Sequence, residues 1–122
     1  MPEKEELAAI VGDESVSDAP EALEAYSRDE SFVHKMKPQF VVRPQNVDEV
    51  QEIVKWANST GTPLIPVSSG PPHFRGDTVP SLGGVVVELS RMKRIIRINR
   101  RNRVAMVEPG VTFAELQLEL KK

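Results

Sequence analysis

The residues best suited to chemistry are gathered in one stretch, SSGPPHFRG, residues 68–76. It offers two hydroxyls (Ser68 and Ser69), free backbone amides at Ser68, Ser69 and Gly70, and a cation at Arg75, directly after an apolar run that reads as a strand. Converging amide dipoles act as a fixed partial positive charge, so such a turn suits a phosphate or diphosphate. The spacing is neither GxxxxGKS nor GxGxxG, which removes the key residues of nucleoside triphosphatases and of ordinary dinucleotide-binding folds. A proline-stiffened surface loop is the other reading of the same residues.

Other chemistry-bearing residues are sparse. His73 is a possible base or attachment point, but no carboxylate accompanies it at a telling spacing, and an exposed loop histidine explains it equally well. Glu88 and Glu108 stand near strand ends; one can be structural and the other can face a ligand, and spacing does not separate them. No residue is nominated as catalytic. The chain has no cysteine and two histidines, which excludes disulfides, iron–sulfur clusters, thiolate zinc and a cysteine nucleophile, and disfavours a histidine-rich metal site, so no metal ligand is nominated.

Charge is unevenly spread. Residues 1–30 hold ten acids against Lys4 and Arg28, while the whole chain sums to −2. In RMKRIIRINRRNR, residues 91–103, seven of thirteen positions are Arg or Lys and none is acidic. That density suits nucleic-acid phosphates. Its isoleucines, however, alternate like a sheet edge and no aromatic is interleaved to stack on bases, so a solvated hairpin is favoured over a nucleic-acid partner. Its cations also suit pairing with the acidic first thirty residues, within the chain or across a dimer.

Several elements must position the loop. Leu7, Ile10 and Val11 give residues 3–11 a helical period. Asp18 with Glu21 predicts a capped second helix over EALEAY. FVVRP, residues 40–44, reads as a strand bounded by prolines. A helix follows, capped by Asn46 with Glu49 in the capping-box position and closed by Gly61 in left-handed geometry. TPLIPV, residues 62–67, reads as a second strand, so this stretch forms a βαβ unit with parallel, neighbouring strands. From Pro66 to Gly84, nineteen residues contain four prolines and four glycines, the composition of a long loop of fixed shape. VVVEL (85–89), RIIRI (94–98) and VAMVEP (104–109) then read as three strands whose spacing suits antiparallel pairing. Thr112 with Glu115 caps a last helix carrying Phe113, Leu116 and Leu120 on one side. Trp56 lies on the helix capped by Asn46 and is most simply a packing residue.

At 122 residues, with 39% hydrophobic and 28% charged positions, the chain is sized for one domain or part of one. No run approaches the roughly 20 apolar residues of a membrane span. The opening MPEKEELAAIVGDE lacks the basic start and apolar centre of a secretory signal, so a cytoplasmic location is expected.

Taken in order, five stretches resemble the start of the flavin-binding domain of the vanillyl-alcohol oxidase and p-cresol methylhydroxylase (PCMH-type) superfamily, in its branch of glycolate oxidases and D-lactate dehydrogenases. They are FVVRPQNVDEVQEIVKWANSTGTPLIPVSSG, the loop to Gly76, VPSLGGVVVELSRMKRI, RVAMVEPGVTFAEL and the Tyr26-x-x-Asp29 stretch. The resemblance implies an α+β fold: a first βαβ subdomain and the start of a second mixed or antiparallel sheet, incomplete. It implies an acidic helical segment at 1–30 and a partial FAD-binding domain at 31–122. It implies FAD as cofactor, with Pro66, Val67, Ser68, Ser69, Gly70, Pro71, Pro72 and His73 around the diphosphate, Ser90 near the cofactor, and Pro109, Gly110 and Val111 approaching the flavin ring. Family loops are of the RGGGTG kind; here Pro71-Pro72 replace the Gly-Thr part, which removes two amides. The implied function is that of a flavin-dependent oxidoreductase of 2-hydroxy acids, completed by a flavin-domain and substrate-domain half on another polypeptide, or by a homo-oligomer through an open edge. The alternative is a non-enzymatic remnant or accessory subunit acting through that exposed sheet edge.

Overall fold

The computed structural model of the protein describes residues 2–27, 36–68, 79–80 and 82–122. Helix α1 (Pro2–Val11) leads through a 3-10 turn (Asp13–Ser15) into a short strand β1 (Val16–Ser17) and helix α2 (Pro20–Ala25). Strand β2 (Phe40–Val42), helix α3 (Val47–Thr60) and strand β3 (Leu64–Val67) follow. Strand β4 (Val85–Glu88), the hairpin β5 (Ile95–Asn99) and β6 (Val104–Val107), and helix α4 (Phe113–Leu120) complete the order.

The main sheet runs β1-β2-β4-β3, with β2, β4 and β3 parallel and β1 antiparallel to β2. The sheet is covered on both faces, so its central strands read as unbroken Val runs rather than alternating ones. Phe40, Val42, Val85 and Val87 turn to one face, where they meet Leu7, Val11, Ile53, Trp56 and Ala57 from α1 and α3. Val41 and Val86 turn to the other, joining Val67 and Tyr26. The acidic N-terminal segment thus contributes to the same core as the strands that follow it. Trp56 is a packing residue as expected, and its indole N–H donates to the Glu6 carboxylate.

Two pairing expectations are corrected. The βαβ unit is present and parallel, but β4 lies between β2 and β3, which therefore do not neighbour each other. Residues 85–88 do not pair with 94–98; only β5 and β6 form the antiparallel hairpin. A four-residue apolar run has no period that tells a central parallel strand from a hairpin arm. What admits β4 is Gly84, at φ 102°, where an added Cβ would stand 2.3 Å from the Pro63 carbonyl oxygen. That close approach lets Val85 N donate to Pro63 O at 3.0 Å while Gln39 N donates to Gly84 O at 2.6 Å, stitching the start of β4 to both neighbours.

The helix ends follow the sequence at three of four sites. Asn46 Oδ1 accepts from Glu49 N at 2.9 Å, and Gly61 closes α3 at φ 70°, ψ 27°. The Glu49 carboxylate reaches back to Gln45 N rather than to the cap residue itself. Thr112 Oγ1 accepts from Glu115 N at 3.2 Å at the start of α4. Asp18, by contrast, caps nothing: Ala19 is the N-cap of α2, with Pro20 at its first position. Asp18 is taken by Lys4, 3.0 Å away, whose hydrogen bond holds the carboxyl below its usual range. Asn46→Ala is expected to lower stability by about 1 kcal/mol, the usual worth of an N-cap, read as a reduced urea midpoint with unchanged slope.

Candidate cofactor-binding site

Strands β2, β3 and β4 are parallel, so their carboxyl ends lie along one edge, the edge at which open α/β sheets bind ligands. Arg43, Ser68 and the Glu88–Ser90 segment leave the sheet there. Beside this edge is a groove of about 330 Å³ lined by Ser68, Val107, Pro109, Gly110, Val111 and Phe113, among others. Its walls are largely aliphatic and aromatic, with hydroxyls at Ser68 and Thr112.

Gly110 makes the turn at this groove possible. Its N–H donates to Met92 O at 2.8 Å. An added Cβ would stand 2.6 Å from the Ser90 carbonyl oxygen and 2.7 Å from those of Leu89 and Met92. The need here is for space, since the φ of Gly110 is not positive. The Pro109-Gly110 turn therefore rests directly on the chain leaving β4, and Ser90 is brought beneath it.

Of the residues implied for cofactor binding, Ser68, Pro109, Gly110 and Val111 meet in one groove and Ser90 adjoins it. Pro66 is exposed on the edge strand β3, opposite Val87 in register. The Val67 side chain is buried in the core, and its carbonyl accepts from Leu89 N at 2.7 Å. Ser69, Gly70, Pro71, Pro72 and His73 lie outside the described residues, as does Arg75.

A buried polar cluster stands behind the same edge. Glu88 is only 5% exposed. It accepts from the Tyr26 hydroxyl on one oxygen and from Ser90 Oγ, at 2.8 Å, on the other. Arg43 Nε lies 3.1 Å from Glu88 Oε2, an ion pair not aligned as a hydrogen bond. The Arg43 side chain remains 38% exposed. The Tyr26 hydroxyl and the Glu88 carboxylate hold the guanidinium above its ordinary pKa against the opposing effect of burial. Arg91 donates to Ser15 Oγ at 2.6 Å, and Ser15 O accepts from Arg43 N at 2.9 Å. The N-terminal segment thus fixes Glu88 through Tyr26 and fixes Arg43 and Arg91 through Ser15.

The two strand-end glutamates separate in the fold. Glu108 pins the hairpin by accepting from Arg94 N at 2.8 Å, whereas Glu88 organises the carboxyl edge. The family resemblance includes Tyr26, but nothing in the spacing marks its bond to Glu88, which joins residues 62 positions apart. Arg43 carries no sequence signal at all. Part of the basic run is structural too: Arg100 donates to the Leu120 carbonyl at 3.1 Å, at the C-terminal end of α4.

Burial pushes the Tyr26 phenol up to about 12, and its hydrogen bond to Glu88 adds to the rise. Below pH 10 the phenol is protonated both folded and unfolded, so this stability is fully present. Between about pH 10 and 12 the unfolded chain ionises and the folded chain does not. Stability should therefore fall across that window, by on the order of 2–3 kcal/mol in total. The sequence has one tyrosine, so phenolate absorbance reports Tyr26 alone: its midpoint should lie near 12 in the folded chain and near 10 in denaturant. Equal midpoints would show that the phenol is not buried against Glu88.

The family profile described as an FAD binding domain matches residues 38–122. A D-2-hydroxyglutarate dehydrogenase of Stutzerimonas stutzeri (strain A1501) is 34% identical over 113 residues, covering 93% of this chain and 24% of that protein. Glycolate oxidase subunit GlcD of Bacillus subtilis (strain 168) is 32% identical over 113 residues, with the same coverage of 93% and 24%. The crystal structure of p-cresol methylhydroxylase with substrate bound aligns at a TM-score of 0.84 and 29% identity, over 97% of this chain and 24% of that one. The chain thus spans about a quarter of the length of these relatives. With a matched segment covering more than half of its residues, the chain belongs to the FAD binding domain family, within the PCMH-type flavoprotein superfamily.

Proposed function

We propose that this chain anchors FAD for an oxidoreductase acting on 2-hydroxy acids such as glycolate or lactate. The observation that carries the reading is the meeting of Ser68 with Pro109, Gly110 and Val111 in one groove at the carboxyl ends of parallel strands. FAD, when bound, supplies the hydride acceptor. The described residues fit it. The groove has the apolar walls and few polar groups of a cofactor cleft, at the small end of the usual volume range. Arg43, whose side chain is 38% exposed, stands on the same edge to face anionic oxygens. The diphosphate role proposed for residues 66–73 rests on their descent from the end of β3 and on the bare amides around Gly70. The names of the dehydrogenase and oxidase relatives support the 2-hydroxy acid class.

The proposed partner is the remainder of a flavin domain, either continuous with this chain or on a separate polypeptide. Phe113 is 92% exposed and Leu118 66%, so α4 presents apolar surface to whatever completes the domain. The same surface favours a second reading, an accessory subunit without flavin that assembles through its exposed edge. Adding FAD to the purified chain distinguishes the two. Saturable quenching of flavin fluorescence supports the first, and no binding together with a dimer in light scattering supports the second.

A further inference from the structure

Among the described residues of the proposed site, Ser90 has a hydroxyl proton that can be assigned from its partner. Its Oγ lies 2.8 Å from Glu88 Oε2, and a carboxylate only accepts. The hydroxyl proton of Ser90 is therefore committed to Glu88, leaving Oγ with lone pairs alone to offer elsewhere. Glu88 is itself held from two further sides, by the Tyr26 hydroxyl on Oε1 and by the Arg43 guanidinium beside Oε2. A buried carboxylate braced in this way has no freedom to turn and release Ser90.

We propose that Glu88 is a positioning residue that fixes Ser90 as a hydrogen-bond acceptor at the cofactor groove, so that Ser90 takes a hydroxyl or N–H group of the flavin dinucleotide and not its diphosphate. The dinucleotide carries such donors on its sugar chain and on its ring systems, whereas ionised phosphate oxygens only accept. Ser90 is half-buried, and its carbonyl oxygen lies directly under the Pro109-Gly110 turn that lines the groove. Arg43, on the same edge, is left to meet the anionic part. This inference rests on the reading that the groove holds FAD.

The test is a set of equilibrium titrations of the chain with FAD and, separately, with inorganic pyrophosphate. Ser90→Ala should weaken FAD about tenfold, the usual effect of one lost hydrogen bond of that kind, and leave pyrophosphate unchanged. Ser90→Thr, which keeps the hydroxyl, should retain FAD affinity. Glu88→Gln offers an amide donor and frees the hydroxyl to rotate, so it should weaken FAD in the wild-type background and add nothing in Ser90→Ala, the pattern of a pair acting as a unit. The Tyr26 titration should be unmoved by Ser90→Ala, which separates loss of one hydrogen bond from loss of the whole cluster. Unchanged FAD affinity in Ser90→Ala, or an equal loss for pyrophosphate, overturns the inference while the cofactor reading stands. A Glu88→Gln effect that persists without Ser90 overturns the positioning role. Failure of the wild-type chain to take FAD overturns the underlying reading, and the inference with it.

Discussion

Gly84→Ala is expected to cost the chain about 4 kcal/mol or more, because it combines two penalties that add at one residue. The first is conformational: at φ 102° a side chain is strained whatever the space around it. The second is steric: the new Cβ would meet the Pro63 carbonyl oxygen at 2.3 Å, and both partners are backbone. Relief requires β4 to draw away from β3, which breaks the Val85 N to Pro63 O bond and parts β4 from the edge strand. A domain of this size has roughly 5–15 kcal/mol of total stability, so much of the variant should be unfolded in mild denaturant. A urea midpoint matching that of the parent chain would mean that β4 does not insert between β2 and β3 as described.

Gly110→Ala is the second large effect, and it should separate the groove from the core. Three carbonyl oxygens, from Leu89, Ser90 and Met92, lie within 2.7 Å of the added Cβ. The turn at residues 108–112 would have to lift off the chain leaving β4, losing the Gly110 N to Met92 O bond. Overpacking of this kind costs about 1–3 kcal/mol, occasionally more. Because the hairpin and α4 lie at the margin of the structure, the main sheet should survive. Expected results are a retained Tyr26 midpoint near 12 and a loss of FAD affinity of about tenfold or more, since about 1.4 kcal/mol is a factor of ten. An undiminished affinity would show that the Pro109-Gly110 turn is not part of the cofactor surface.

The elements are legible in the sequence where a local rule governs them. Asn46 and Thr112 cap their helices because a short polar side chain reaches the amide three residues on, and Gly61 ends α3 because only glycine enters the left-handed region without strain. Asp18 shows the limit of the same rule, since Pro20 already supplies a helix start and Lys4, fourteen residues away, takes the carboxylate. Strand order is not legible. VVVE is apolar on both faces and fits a hairpin or a sheet centre equally; the choice falls to Gly84, whose meaning depends on where Pro63 lies. Strand β1 is two residues long and has no pattern to read.

The site divides in the same way. Ser68 and the Pro109-Gly110-Val111 turn are visible through residue types and family resemblance, because glycine and proline mark places of close backbone approach. Tyr26, Arg43 and Glu88 form their cluster only after the sheet brings three distant segments to one edge. A tyrosine, an arginine and a glutamate so far apart in sequence have no spacing that announces a contact.

The most direct test of the cofactor assignment is a titration of the purified chain with FAD, followed by flavin fluorescence. Saturable binding of one FAD, weakened in Gly110→Ala, is the predicted result. Flavin that stays free at all protein concentrations, in a chain whose Tyr26 still titrates near 12, would contradict the assignment of this groove as the cofactor site.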